Sequence, residues 1–164
     1  MIREVKREDI PSCVDIIRRS FMTVADMFGL TEENAPRFTA FATSNDRLYW
    51  HFDHEKRPMF MAEVDGMPCG YYSLFNQGNG VCELNNLAVL PEYRHRGLGK
   101  QLLGHSFDIA RQMGFYSMSI GIVEENTVLR EWYEQNGAYH VGTKKYDFFP
   151  FTCGYMLKQL LPYS

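Results

Sequence analysis

One short segment constrains the fold more than any other part of the chain: a strand, a proline and a glycine-containing loop that opens a helix. The segment reads LNNLAVLPEYRHRGLGKQLL, with Gly97 and Gly99 at the start of the helix. Apolar residues then recur at helical spacing as far as Met113, and Gly114 is a natural stop. The apolar strand SMSIGIV follows. A helix that joins two strands of one sheet crosses over that sheet, so these strands are predicted to lie parallel.

The segments before this unit predict a helical region and then an antiparallel meander. Ile2 to Val5 is predicted as a short strand, and Asp9 as the cap of a helix through about Phe21. Thr31 is predicted to start a second helical stretch, interrupted near Pro36, and TAFATSNDRLYWHF is helical or irregular. The strands PMFMAEV, CGYYSLFN and VCELNNLAVL follow, separated by the turn signals DG and GNG.

The end of the chain adds one more helix and two strands. Asn126 is predicted to open the helix and Gly137 to end it, before strands in AYHVGTKKY and TCGYMLKQL. The order of elements predicts an α/β fold with a mixed, mostly antiparallel sheet and helices on its faces. The length of 164 residues fits one domain, residues 1–164.

Composition narrows the classes of partner and compartment. The net charge of −3, without a stripe of basic residues, gives no support to nucleic-acid binding. No apolar run is long enough to cross a membrane, and the charged N-terminus does not resemble a signal peptide. The four cysteines are far apart and are predicted to be buried free thiols in a reducing compartment, which places the protein in the cytoplasm: Cys13, Cys69, Cys82 and Cys153.

The loop before the long helix has the properties of an anion site. The N–H groups at a helix start are unpaired, the helix dipole favours negative charge there, and glycine allows close approach. Arg94, Arg96 and Lys100 add positive charge. A Walker loop is excluded, because Arg94 and Gln101 stand where it needs Gly and Ser or Thr. A dinucleotide fingerprint lacks its third glycine, which is Leu102 here. A bare G-x-G also fits an ordinary tight turn.

The larger pattern resembles the acetyl-CoA-binding segment of the GNAT superfamily of N-acetyltransferases. In that family an L-x-V strand and a proline precede Gln/Arg-x-x-Gly-x-Gly/Ala, and Arg94, Gly97 and Gly99 fill the three fixed places. A second segment, Glu125-Asn126 through Tyr133 to Gly137, is similar to the family's E-N-x-x-A-x-x-L-Y-x-x-x-G-F signature. Leu129 and Ala138 replace the usual Ala and Phe, which are apolar changes. The specific resemblance covers roughly positions 81–138.

The resemblance implies a GNAT fold with a splayed parallel strand pair and acetyl-CoA as co-substrate. The pyrophosphate would lie on the N–H groups of residues 95–100, and the pantetheine arm would run along the strand between Leu87 and Val89. Asn126 would reach the cofactor. The cofactor-binding residues implied in this way are Leu87, Ala88, Val89, Arg94, His95, Arg96, Gly97, Leu98, Gly99, Lys100 and Asn126.

Two residues are implied as catalytic groups, each with an ordinary alternative. Tyr133 occupies the place of the family's general acid for the CoA thiolate, although a helical tyrosine is commonly a core residue. Glu83 stands where many members carry the base for the amine, although it also fits a solvated carboxylate. Alternation with period two places Glu83, Asn85, Leu87 and Val89 on one face. A backbone N–H near Leu87 is the implied oxyanion donor.

Several features remain open at this stage. His51-x-x-His54 has a spacing used by metal pairs, but no third ligand is evident and no metal site is predicted. The aromatic residues at 49, 50 and 52 are predicted to be core, whereas the run Phe148-Phe149-Pro150-Phe151 lies in a turn that borders the acceptor in the GNAT fold. The acceptor is a small-molecule or peptide amine that the sequence does not identify. A non-catalytic module that senses acyl-CoA is the alternative function. Homodimers are common in this fold, but the sequence does not show one.

Overall fold

The framework of the protein is one seven-stranded sheet. The structure, a computed structural model, describes residues 1–161. The strands follow the spatial order β1-β2-β3-β4-β5-β7-β6, and only β4 and β5 are parallel to each other. Their bounds are β1 Ile2–Glu4, β2 Met59–Val64, β3 Met67–Gly78, β4 Val81–Val89, β5 Ser117–Val123, β6 Tyr139–Lys145 and β7 Thr152–Gln159.

The predicted antiparallel meander and parallel crossover are both confirmed. Asp65 and Gly66 turn β2 into β3 with positive φ values of 51° and 76°, as a two-residue hairpin turn requires. Helix α4, Leu98–Gln112, joins β4 to the parallel β5. Gly114 follows α4 with φ 86°, in the left-handed region that ends many helices.

The first helix differs from its prediction at both ends. Helix α1 spans Ile10–Phe28, seven residues beyond the predicted end at Phe21, and it stops at Gly29 with φ 66°. Asp9 stands at the cap position, but its side chain does not cap α1. The Asp9 carboxylate instead accepts from Lys6 N (2.8 Å) and pairs with Arg3 (2.7 Å). This ion pair and the hydrogen bond to Arg3 lower the pKa of Asp9.

The helical stretch predicted from Thr31 is wrong. Thr31 N donates to Asn34 Oδ1 (2.8 Å) and Asn34 N donates to Thr31 Oγ1 (3.1 Å), so side chains close a turn there. The ambiguous segment that follows is helical in two pieces, α2 at Thr39–Ala42 and α3 at Asn45–Asp53. Ser44 caps α3 by accepting from Arg47 N (3.1 Å). Helix α5, Thr127–Gln135, completes the set.

Helices cover the sheet on both faces and define two main cores. On one face α4 and α5 pack on β2 to β5, and this core includes Leu84, Leu102 and Tyr133. On the other face α1 and α3 pack on β2, β3 and the end of β4, and this core includes Ile17 and Leu48. The loop between β4 and α4 and the open end of the β4–β5 pair therefore lie between two helical layers.

A β-bulge in β4 reverses the direction of its side chains. Asn86 has φ 57°, and the pairing with β3 shifts by one residue between Asn85 and Ala88. Before the bulge Leu84 packs in the core beside α4, whereas after it Leu87 packs there and Ala88 faces α1. The prediction that Glu83 and Asn85 share a face with Leu87 and Val89 is therefore wrong, because the extra residue breaks the period of two.

The cysteines and the membrane prediction can also be compared with the structure. The thiols of Cys13, Cys69 and Cys82 are free and buried, as predicted, but Cys153 is partly exposed. Burial raises the pKa of Cys13 and of Cys82 to about 12 in each case, so both thiols stay protonated at neutral pH. Among residues 1–161, no helix combines the length and apolar character needed to cross a bilayer.

Candidate active site

The site begins where β4 and β5 part. Their parallel pairing runs from Val81 with Ser117 to Leu84 with Ile120. Beyond these pairs β4 continues to Val89, paired only with β3, while β5 continues to Val123, paired only with β7. The backbone edges that face each other across the gap are therefore free to bind an extended ligand.

A groove of about 550 Å³ occupies this gap and extends to the start of α4. It is lined by most of the residues predicted to bind cofactor: Leu87, Ala88, Val89, Arg94, His95, Gly97, Leu98, Gly99 and Lys100. Tyr133 lines the same groove from α5. Glu83, Arg96 and Asn126 are not part of the lining.

The loop before α4 presents unpaired N–H groups toward the groove. The first backbone hydrogen bond of the helix runs from Gln101 N to Gly97 O (3.0 Å), so the N–H groups of residues 98–100 have no acceptor within the helix. No side chain caps this end. His95 and Gly97 both have positive φ, 64° and 80°, and such conformations curl successive N–H groups into a concave anion site.

Arg94 has a different environment from the one expected of a phosphate ligand. Its guanidinium donates to Ser20 O and Ser20 Oγ (3.1 Å each), to Thr23 Oγ1 (3.1 Å) and to Val89 O (3.2 Å). These bonds connect the loop to α1 and β4, and they use most of the N–H donors of the Arg94 guanidinium. Burial lowers the pKa of Arg94, and Glu92 opposes this shift. Arg94 therefore holds the loop in place at the edge of the groove.

Arg96 and Asn126 make contacts within the protein and do not line the groove. Arg96 lies over the ring of Tyr93, 5.2 Å from its centroid, on the exposed side of the loop. Asn126 is buried, and its Oδ1 accepts from Leu129 N (3.2 Å) as the cap of α5. The predicted helix start is thus confirmed, and the amide nitrogen of Asn126 makes no hydrogen bond to the described residues, which leaves it for another partner.

Tyr133 is held in the wall of the groove by packing. The residue is only 6% exposed, and Trp132 meets its ring edge-on at 5.0 Å. Its hydroxyl makes no hydrogen bond to any of the described residues, and burial raises the pKa of Tyr133 well above its ordinary value. The side chain can therefore present a protonated hydroxyl to a ligand in the groove.

Glu83 lies in a polar cluster on the α1 and α3 face of the sheet. Gln77 Nε2 donates to Glu83 Oε2 (2.7 Å), and Ser119 Oγ donates to Gln77 Oε1 (2.9 Å). With its amide oriented to satisfy both ends, Asn85 donates to Glu83 Oε1 (2.6 Å) and accepts from Arg57 Nη1 (3.0 Å). The carboxylate thus lies within a hydrogen-bonded network of β3, β4 and β5 and not beside Leu87.

The fold, the open strand pair and the anion loop agree with a comparison to known families. The model of the acetyltransferase (GNAT) family matches residues 24–138. The chain belongs to this family. The resemblance seen in the sequence is therefore confirmed, and the protein is an N-acetyltransferase of the acetyl-CoA-dependent type.

An uncharacterized N-acetyltransferase of Lactobacillus delbrueckii subsp. lactis is 26% identical over 148 residues, 83% of this chain and 82% of the relative. The uncharacterized N-acetyltransferase YjgM of Escherichia coli is also 26% identical, over 86% of this chain and 83% of the relative.

Solved structures confirm the fold. PaiA N-acetyltransferase from Thermoplasma acidophilum, solved with coenzyme A, has a TM-score of 0.80 at 21% identity and covers 97% of this chain and 98% of its own. The ribosomal-protein-S18-alanine N-acetyltransferase of Escherichia coli has a TM-score of 0.78 at 17% identity and covers 100% and 96%. At 17% and 21% identity, these similarities are evidence for the fold alone, which is the GNAT fold.

Other parts of this GNAT domain contribute to the groove without a sequence signal that singled them out. Ser20 and Phe21 of α1, Trp132 of α5 and Asn86 of the bulge all line it. Trp132 was visible in the sequence only as an apolar helical residue. Ser20 and Phe21 lie within the helix as predicted, but no local pattern indicated that this part of α1 lines the groove.

The structure also shows where the His51-x-x-His54 pair and the two aromatic clusters noted in the sequence lie. Within the described chain, no group of three or more His, Cys, Asp or Glu side chains is placed to hold a metal ion. His51 is buried, and the ring of His54 lies tilted against that of Trp50, with centroids 4.2 Å apart. Trp50 is 56% exposed, so the prediction of a core position is wrong for it. Phe151 is buried against Phe38, whereas Phe148 is exposed near the β6–β7 turn.

Proposed function

We propose that this acetyltransferase binds acetyl-CoA in the groove between β4 and β5 and transfers acetyl directly to a primary amine in a ternary complex. The observation that supports this best is the continuity of the groove, which runs from the unpaired strand edges to the N-terminus of α4. The free N–H groups of residues 95–100 suit the pyrophosphate. Lys100 adds charge at the same end.

The pantetheine arm would lie along the free edge of β4. Leu87, Ala88 and Val89 line the groove there, and their β5-facing backbone groups have no strand partner. An extended amide-bearing chain pairs with such an edge as an added strand does. The thioester would then reach the bulge, with Tyr133 on the α5 side.

The chemistry follows from the groups at that point. The neutral amine attacks the thioester carbonyl carbon, the new C–N bond forms and the C–S bond breaks. A backbone N–H near Leu87 would stabilise the oxyanion, the Tyr133 hydroxyl would protonate the departing thiolate, and the tyrosinate would regain a proton from the nitrogen of the new amide. Glu83, on the opposite face of the sheet, would accept the proton of the incoming ammonium through the polar cluster or through water.

The free, protonated thiols of Cys13 and Cys82 support a reducing cytoplasmic location.

A binding and turnover experiment tests the proposal. Calorimetry should detect acetyl-CoA binding, and a panel of primary amines should reveal acceptor-dependent release of CoA thiol. Binding without release for any amine would favour the alternative, a module that senses acyl-CoA. No binding of acetyl-CoA by the folded protein would refute the assignment of the groove.

A further inference from the structure

A second cavity, of about 560 Å³, lies beside the groove on the α3 side of the bulge. We refer to it as the acceptor pocket, and the part of its wall that matters here consists of Arg47, His51, Glu55, Arg57, Asn85 and Asn86. Asn86 lines both the acceptor pocket and the groove. A molecule bound in this pocket would therefore lie next to the place where the thioester is proposed to end.

The charged groups in the wall are two guanidiniums and one carboxylate. Arg57 is largely buried, lies over the Phe75 ring at 4.6 Å and pairs with Glu55 at 3.1 Å. Arg47 is exposed and has no carboxylate within ion-pair distance among residues 1–161. Glu55 thus pairs with Arg57, and Glu83 lies outside the lining and reaches Arg57 through Asn85, so Arg47 is the guanidinium of this wall that has no carboxylate partner among residues 1–161.

His51 does not change this balance. Burial lowers the pKa of His51 to about 4, Arg57 adds to this effect and Glu55 opposes it. The imidazole is therefore neutral at pH 7. It is a buried polar group whose Nδ1 has no hydrogen-bond partner in the described part of the protein, a condition that is uncommon outside functional or hydrated sites.

From this wall we infer the chemical class of the acceptor: a small primary amine that also carries a carboxylate, such as a free amino acid. Arg47 would bind the carboxylate with its planar fork of donors, and the amine would point past Asn86 toward the thioester. A polyamine would place a second ammonium beside the unbalanced guanidinium and is disfavoured. The inference rests on the proposed function.

Matched acceptors provide the test. The rate of CoA release is measured for a panel of amino acids, for the primary carboxamide of each and for spermidine, at the same concentration of neutral amine. We expect the best acceptor to be a carboxylate, with a kcat/KM about tenfold or more above that of its carboxamide, a typical discrimination for one charge-assisted contact. A best acceptor that is a carboxamide or spermidine would overturn the inference while leaving the transferase assignment intact.

Variants of Arg47 make the test specific to the pocket. Arg47→Gln should bring the carboxylate-to-carboxamide ratio close to one, and Arg47→Lys should restore part of it because charge returns without the fork. Arg111→Gln removes an exposed guanidinium near the end of α4 and should keep the wild-type ratio. An unchanged ratio in Arg47→Gln would also overturn the inference.

A binding measurement separates failure of this inference from failure of the proposed function. If no amine supports turnover, calorimetric titration of the CoA-loaded protein with the amino acids and carboxamides still reports on the pocket. Preferential binding of carboxylates that Arg47→Gln abolishes would support the pocket while refuting the transferase mechanism. Equal binding of both members of each pair would refute the pocket as well.

Discussion

Replacement of Tyr133 by phenylalanine removes one oxygen from the wall of the groove and leaves the packing in place. The ring is 6% exposed and contacts Trp132, and the hydroxyl has no hydrogen-bond partner among residues 1–161. Its loss therefore leaves no buried partner unsatisfied, and the free energy of unfolding should change by less than about 1 kcal/mol. A general acid contributes about 10²-fold or more, so kcat should fall by about 10²-fold, equivalent to about 2.7 kcal/mol in activation free energy.

The assay compares kcat from CoA release with the acetyl-CoA dissociation constant from calorimetry. Because burial raises the pKa of Tyr133, the hydroxyl stays protonated up to about pH 10, and the wild-type kcat should show no basic limb below that pH from this group. The control is Tyr139→Phe, which removes a hydroxyl from a half-exposed residue of the edge strand β6. A Tyr133→Phe enzyme with a kcat within about twofold of wild type would refute the acid role, since a general acid contributes about 10²-fold.

Three further changes test the other parts of the site. Gly97 and Gly29 both have positive φ and no atoms near an added side chain, so valine at either position should cost about 1–2 kcal/mol of stability. Gly97→Val should in addition abolish acetyl-CoA binding in calorimetry, whereas Gly29→Val should retain it. Equal acetyl-CoA affinity in both variants would contradict the anion site. Glu83→Gln should keep acetyl-CoA binding but lower kcat/KM; an unchanged kcat/KM would assign the proton to water or another group. Asn86→Val should unfold more easily than Asn86→Gly by about 1–2 kcal/mol in denaturant titrations, and equal stabilities would contradict a left-handed bulge.

Local sequence signals predicted the elements that depend on local chemistry. The Asp65-Gly66 turn, the Asn126 cap and the glycine after α4 each satisfy a backbone requirement within a few residues. The parallel β4–β5 pair followed from a topological rule about crossover helices. These local signals and the crossover rule were sufficient to predict the order of the elements and the parallel strand pair that forms the groove.

The errors occurred where distant contacts decide the outcome. The helix predicted to end near Phe21 continues because its last turns, around Ala25, pack in an apolar cluster with Phe38 and Phe151, and the glycine stop, Gly29, lies further on. The contacts of Arg94 were not predictable either: it lines the groove, as the family position implies, and its guanidinium is bonded to Ser20 and Thr23, more than seventy residues earlier. No local pattern reports a partner that far away in sequence.

The bulge at Asn86 links the error about Glu83 to the way the site can work. A regular strand would place Glu83 and Leu87 on one face, with the acid, the base and the cofactor crowded on the same side of the sheet. The inserted residue instead places Glu83 and the acceptor pocket on the α3 side, while Leu87 packs toward α4. In the proposed mechanism the amine and the cofactor therefore arrive from different sides and meet only at the bulge, where the sheet is open. Asn tolerates the left-handed conformation better than most residues, which explains why this residue type can stand at the crossing point of the two cavities.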